Sequence, residues 1–168
     1  MRWLVDGYNV IRHAPGLAAR EQESLQAGRD ALCRLLAAAA RSSGDQFTVV
    51  FDGARGGGTA SGSRGVRVVF SRAQERADDV LARLASAGVA VVSTDREVQK
   101  AAARARAIAI TADDFLARVL APPSPARGEE DDDPLPAPKK GNPRRLPKKA
   151  RAAARALKRL GQPTRRFS

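Results

Sequence analysis

The sequence predicts an α/β protein: a mostly parallel sheet of about five strands with helices on both faces, followed by a basic, partly disordered C-terminal tail. Three observations predict it. Short apolar runs of β type recur at residues 3–5, 47–51, 66–70, 89–92 and 108–110. Segments of helical spacing separate most of them, the pattern of parallel strands joined by right-handed crossovers. The charge, finally, is segregated. Residues 1–133 hold all 18 Asp/Glu and 18 of the 30 Lys/Arg, whereas 134–168 hold the other 12 cations and no acid. The formal charge of +12 therefore belongs to the tail.

The first strand, Trp3–Val5, delivers Asp6 into a predicted turn at Gly7, Tyr8 and Asn9. Pro15 and Gly16 read as a loop, and Leu25, Leu32, Leu35, Leu36 and Ala39 place an amphipathic helix over residues 20–41. The second strand, Phe47–Phe51, ends as the first does, on an acid and a glycine, Asp52 and Gly53. Six glycines between 53 and 65 predict a segment that is mobile until something binds. Val66–Phe70 is the third strand, of undetermined direction because no helical pattern precedes it. Ser71 with Gln74 has the spacing of a capping box and predicts a helix to about residue 87. Gly88 ends it. Val89–Val92 is the fourth strand, Thr94 with Glu97 caps a helix to about residue 106, and Ile108–Ile110 is the fifth strand. Thr111 with Asp114 opens a short helix through Leu116, Val119 and Leu120.

From Pro122 the composition turns to Pro, Ser and charge, as in a disordered linker. The five acids from Glu129 to Asp133 stand ahead of the basic block. Residues 147–160 then offer Pro147 as a helix start, Ala150, Ala154 and Leu157 on one face, and Gly161 as a stop. The expected organisation is an α/β domain at 1–120, a linker at 121–146, and a basic tail with a short helix at 147–168. Such a tail is an electrostatic footprint for a polyanion such as RNA. Its apolar face lacks aromatics, which favours RNA or a ribosome over lipid. The single cysteine, Cys33, forms no internal disulfide and reads as a buried thiol. No signal peptide opens the chain and no apolar run approaches the roughly 20 residues of a membrane span. A cytoplasmic protein without membrane contact is expected.

Asp6, Asp52 and Asp95 each lie at or just past a strand's carboxyl end, so a parallel sheet lines them along one edge. Asp78 lies about two turns into its predicted helix. On a helical wheel it stands about 115° from the centre of the stripe of Ala73, Ala77, Val80, Leu81 and Leu84, with Asp79 about 145° away. Asp78 is thus nearer the core. Local explanations exist for several of these acids: Asp95 and Asp113 fall in first helical turns, where the macrodipole favours a carboxylate, and Asp52-Gly53 is an ordinary turn pair. As a set, carboxylates crowded together call for a cation. Oxygen ligands without a His or Cys cluster select Mg²⁺ or Mn²⁺, one or two ions, a suitable centre for phosphodiester hydrolysis. His13, the one histidine, reads as structural or as a substrate contact. No nucleophile triad is present. GARGGG is a weak phosphate cradle without a Walker lysine, so no nucleotide cofactor is expected.

DGYNVI at 6–11, VVFDG at 49–53, VVFSRAQERADDVL at 68–81 and VVSTDREVQ at 91–99 resemble, in order, the NYN-domain nucleases of the PIN-like superfamily. Within it they resemble the bacterial subgroup related to the ribosome-associated mRNA endonuclease of Firmicutes. The resemblance covers about residues 1–120. It implies a PIN-like three-layer α/β/α sandwich and metal-dependent endoribonuclease activity leaving a 5′-phosphate and a 3′-hydroxyl. It also implies a catalytic metal site at Asp6, Asp52, Asp78 and Asp95, with Asn9 and Thr94 as polar support. RNA, in particular mRNA and in some settings on the ribosome, is the expected partner. Arg12, Arg55, Arg72 and Arg76 near the acids, with Arg151 and Arg155 in the tail, are the candidate RNA contacts. The long basic extension departs from what the subgroup requires, and Asp113 and Asp114 read equally as site acids or helix caps. A catalytically weak RNA- or ribosome-binding adaptor on the same fold is the second reading.

Overall fold

A computed structural model describes residues 1–53, the backbone of 58–60, and residues 65–121 and 147–160. The predicted linker, Arg55 and residues 161–168 lie outside them. The elements run β1 (Arg2–Asp6), α1 (Gly7–His13), α2 (Pro15–Glu23), α3 (Leu25–Ser43), β2 (Gln46–Phe51), β3 (Gly58–Ala60) and β4 (Val66–Phe70), then α4 (Ala77–Leu84), β5 (Val89–Val92), α5 (Arg96–Arg104), β6 (Ile108–Ile110), α6 (Ala112–Val119) and α7 (Lys148–Leu160).

The sheet order is β3-β4-β2-β1-β5-β6. The five strands read from the sequence are all present and all parallel, β4 included, and short β3 adds an antiparallel edge on β4. The chain winds outward from β1 through β2 to β4, then returns past β1 to β5 and β6. The reversal of direction lies between β1 and β5, and a doubly wound sheet opens its ligand crevice at the carboxyl ends of such a pair.

Each central strand is covered on both faces, as the near-continuous apolar runs require. Trp3, Val5, Val49, Phe51, Ala90 and Val92 point to one face and pack with Ile11 of α1, Leu32 and Leu36 of α3 and Phe115 of α6. Leu4, Val50, Val89 and Val91 point to the other, under Val80 and Leu81 of α4 and Val98 and Ala102 of α5. The result is a three-layer sandwich. Trp3 stacks on Phe47 at 6.0 Å between centroids, and its indole N–H donates to buried Asp45 at 2.9 Å.

Several local expectations change. Gly7, Tyr8 and Asn9 begin helix α1 rather than a turn, and a Cβ at residue 7 would overlap the Phe51 ring. Pro15 is not in a loop: it starts α2, where a missing N–H costs nothing. The long helix starts at Leu25, capped by Ser24. The helix expected from Ser71 begins only at Ala77, because the Ser71 hydroxyl is engaged elsewhere. Asp95 and not Thr94 caps α5, and Thr111 caps α6 as expected. Part of the glycine-rich stretch forms β3; its remainder, 54–57 and 61–64, lies outside the described residues.

The basic helix α7 turns a different face inward from the one its sequence suggested. Ala156 and Leu160 are buried in the same core as Trp3, with Ala153 and Leu157 against them, while Ala150 and Ala154 are exposed. It packs on β6, α6 and α3. The Arg118 side chain donates to the Leu157 carbonyl at 3.1 Å, satisfying an oxygen near the helix's C-terminal end.

Candidate active site

Asp6 is the buried centre of the site. It ends β1, is 8% exposed, and accepts from the Asn9 backbone N–H at 3.2 Å and from the Ser93 hydroxyl at 2.9 Å. No cation lies against it among the described residues. Burial pushes its carboxyl above the usual range; the bonds from Ser93 and Asn9 draw it back, and the charges of Asp78 and Asp52 push it up again.

The other acids come to the same edge by separate routes. Asp52 follows β2 and accepts the Ala77 N–H at 2.6 Å, so it holds the start of α4 from across the sheet edge. The Ser71 hydroxyl reaches it at 3.4 Å and also accepts the Gly53 N–H at 3.1 Å. Asp78, in the first turn of α4, is half-buried and pairs with Arg76 at 2.6 Å. Burial raises the Asp78 carboxyl; Arg76 opposes this, and Asp95, Asp52 and Asp79 add to it. Asp79 accepts from the Arg76 N–H at 3.1 Å and is exposed, which leaves Asp78 the inner of the two. Asp95 is exposed and caps α5, accepting from the N–H groups of Glu97 at 2.7 Å and Val98 at 3.3 Å.

Two polar residues stitch the crevice. The Asn9 side-chain oxygen accepts the Thr94 N–H at 2.9 Å, tying α1 to the loop after β5, and the Thr94 hydroxyl accepts the Ala112 N–H at 3.3 Å. Ser93 carried no sequence signal. Its buried hydroxyl donates to Asp6 and accepts the Asp95 N–H at 3.1 Å, linking two of the acids.

The charges of Asp78 and Asp52 bear on Asp6, and those of Asp95 and Asp52 on Asp78, yet among the described residues no three carboxylate, imidazole or thiolate groups converge closely enough to hold an ion directly. This arrangement fits Mg²⁺ better than an ion needing an all-protein cage. Mg²⁺ keeps several waters and is held through one or two carboxylates together with substrate phosphate. The donors are all oxygen, and buried Asp6 has no positive partner among the described residues.

The remaining candidates divide. Arg12 lies over the Tyr8 ring, 5.7 Å from its centroid, near the C-terminal end of α1. Arg76 is on Asp78, and Arg72 is exposed beside Glu75 and Arg83. Arg151 and Arg155 are exposed on α7, on the β6 side of the sheet, with β5 between that strand and β1. His13 meets Asp113 at 3.0 Å, joining α1 to α6, and Asp114 bonds to Thr111, so these two acids serve the start of α6. A concavity at the amino ends of the strands, lined by Arg2, Gln46, Thr48 and Arg67 among others, contains no acid and is remote from the site.

Comparison with known proteins agrees with this fold. No curated protein matches the chain. The crystal structure of Rae1 (YacP) from Bacillus subtilis superimposes with a TM-score of 0.57 at 26% identity, covering 71% of this chain and 74% of that one. A single-substitution variant of it gives 0.59 and 28% over the same shares. Residues 3–159 match the family model of the YacP-like NYN domain, a span that includes both the acid-lined crevice and helix α7, and the chain belongs to that family.

Proposed function

We propose that this protein is a metal-dependent endoribonuclease that hydrolyses RNA phosphodiester bonds, with Mg²⁺ or Mn²⁺ as cofactor and mRNA as substrate. The observation that carries the reading is Asp6: a buried carboxylate without a cation partner among the described residues, repelled by Asp78 and Asp52, at the crevice of a doubly wound sheet. Crowding like charges is destabilising unless a ligand uses it. Membership of an NYN family supports the same chemistry.

Asp6, Asp52, Asp78 and Asp95 are the residues that would hold the ion. The ion would acidify the attacking water and offset charge developing on the phosphoryl oxygens. Ser93 fixes the Asp6 carboxylate, so that one oxygen keeps its direction as substrate enters. Asn9 and Thr94 hold α1 and the β5–α5 loop together, keeping Asp6 and Asp95 on facing walls. Release of Asp78 from Arg76 would supply a third carboxylate and free a guanidinium for phosphate.

The adaptor reading draws on one specific observation: Asp78 is paired with Arg76 and Asp95 is committed to capping. Cleavage of a mixed RNA pool in Mg²⁺, Mn²⁺ or EDTA, by wild type and Asp6→Asn, with and without translating ribosomes, separates the two. Metal-dependent products from wild type that the variant loses by at least about 100-fold are the expected result. Retained RNA binding with no cleavage under any condition would establish the adaptor.

A further inference from the structure

Helix α3 descends from the carboxyl edge of the sheet to the amino edge, since β2 begins directly after it. Arg29, in its second turn, therefore stands at the same edge as the acids. Its half-buried guanidinium lies 5.5 Å from the centroid of Tyr8, 5.6 Å from Phe51 and 5.2 Å from Phe70. Its Nε donates to the Tyr8 hydroxyl at 2.9 Å, and one terminal nitrogen donates to the same oxygen. Arg12 lies over the same Tyr8 ring at 5.7 Å.

These supports belong to the residues that position the acids. Tyr8 is two residues past Asp6, Phe51 precedes Asp52, and Phe70 precedes Ser71, whose hydroxyl reaches Asp52. Neither Arg12 nor Arg29 has a carboxylate partner among the described residues, whereas Arg20, Arg76 and Arg83 each do. Both side chains are thus anchored on one tyrosine, Arg12 near the ring and Arg29 through the hydroxyl, with no carboxylate among the described residues to compensate their charge.

We propose that Arg12 and Arg29, mounted on Tyr8, form a clamp for a phosphodiester of single-stranded RNA adjacent to the acid crevice. The acids call for a cation; the two guanidiniums anchored on Tyr8, without a carboxylate partner among the described residues, suit an anion. A phosphodiester satisfies the planar forks of both arginines through charged hydrogen bonds. The Tyr8 hydroxyl engages one edge of Arg29, and its other terminal nitrogen makes no hydrogen bond among the described residues. The clamp rests on the endoribonuclease reading for its substrate, and binding tests it apart from cleavage.

The test is anisotropy of a labelled mixed-sequence single-stranded RNA with the full chain carrying Asp6→Asn, in Mg²⁺, over a range of salt. Adding Arg12→Gln or Arg29→Gln should weaken binding by about three- to ten-fold and reduce the salt slope by about 0.7, one phosphate contact on a single strand. Tyr8→Phe, which keeps the ring and removes the acceptor, should weaken binding with the slope retained. Unchanged affinity and slope in both Gln variants, with a lowered thermal midpoint for Arg29→Gln alone, would make the cluster purely structural and overturn the clamp. If Arg29→Gln does not fold, exposed Arg12→Gln carries the test, and an unchanged slope there overturns it. Wild type assayed on the same RNA separates the two claims. Slope loss without wild-type cleavage supports the clamp and sinks the nuclease reading, while cleavage with unchanged slopes does the reverse.

Discussion

Asp6 shows how a single residue carries both a cost and a purpose. Its carboxyl is raised above the usual range by burial and by neighbouring acids, so the folded chain holds its proton more tightly than the unfolded chain does. Its contribution to stability therefore falls as pH rises from the ordinary carboxylate range through the raised folded value, then stays level. In EDTA, Asp6→Asn should melt higher than wild type at neutral pH, and the gap should shrink on acidification through that window. Thermal melts of both proteins from pH 3 to 8, an interval chosen to bracket roughly the whole carboxylate range, check this. Mg²⁺ should narrow the gap at neutral pH, because it stabilises only the wild-type carboxylate. Asp6 was legible in the sequence because an apolar run ended on it. Ser93 and Arg29 were not: a serine after a strand and an arginine inside a helix look ordinary until distant segments bring them to Asp6 and Tyr8.

The elements explain which readings of the sequence succeed. Five strands were visible because a doubly covered parallel strand is apolar throughout, independent of its partners. Helix starts were harder, since Ser, Thr and Asp serve a local cap or a distant bond equally well. Ser71 is spent on Asp52 and Gly53, Thr94 on Asn9 and Ala112, and Asp95 takes the cap that Thr94 was expected to make. Asp95 thus has two roles that substitution can separate. Asp95→Ala should cost about 0.5–2 kcal/mol through loss of the cap, whereas Asp95→Asn keeps it. If its charge also serves catalysis, Asp95→Asn will lose cleavage at unchanged stability, as urea melts and RNA cleavage assays would show. Helix α7 makes a similar point. The stripe of Ala150, Ala154 and Leu157 misplaced its inner face, which is set by Ala153, Ala156, Leu157 and Leu160 meeting β6 and α6. Leu160→Ala should destabilise the whole domain by about 2–5 kcal/mol, measured by chemical denaturation.

At the scale of the molecule, the sheet's winding order gathers the acids. Reversal between β1 and β5 puts Asp6 on one wall and Asp95 on the other, with Asp52 one strand further out. Strand order is not encoded in any local pattern; the resemblance to a family implied the three-layer sandwich but not the order of its strands. The surface divides the work by charge. The acids are concentrated in a crevice, while α7 turns Arg151, Arg155, Lys158 and Arg159 outward. Because α7 also completes the core, removing residues 134–168 would damage the fold along with the charge. Arg151→Gln with Arg155→Gln is the cleaner probe. The double variant should leave the thermal midpoint within about 0.5 kcal/mol of wild-type stability and lower the salt slope of RNA binding.

Helix α7 also gives the chain an order of completion. A strand and a helix made earlier, β6 and α6, offer an apolar face that Ala156 and Leu160 cover, and residues 120–147 are made between them. During synthesis that face waits until the covering helix has emerged, and closing over so long a connection carries an entropic delay. A chain terminated between α6 and α7 keeps the acid-bearing strands but exposes part of its interior, making it a target for proteolysis or aggregation. Burial of this face of the core is thereby tied to synthesis through Leu160.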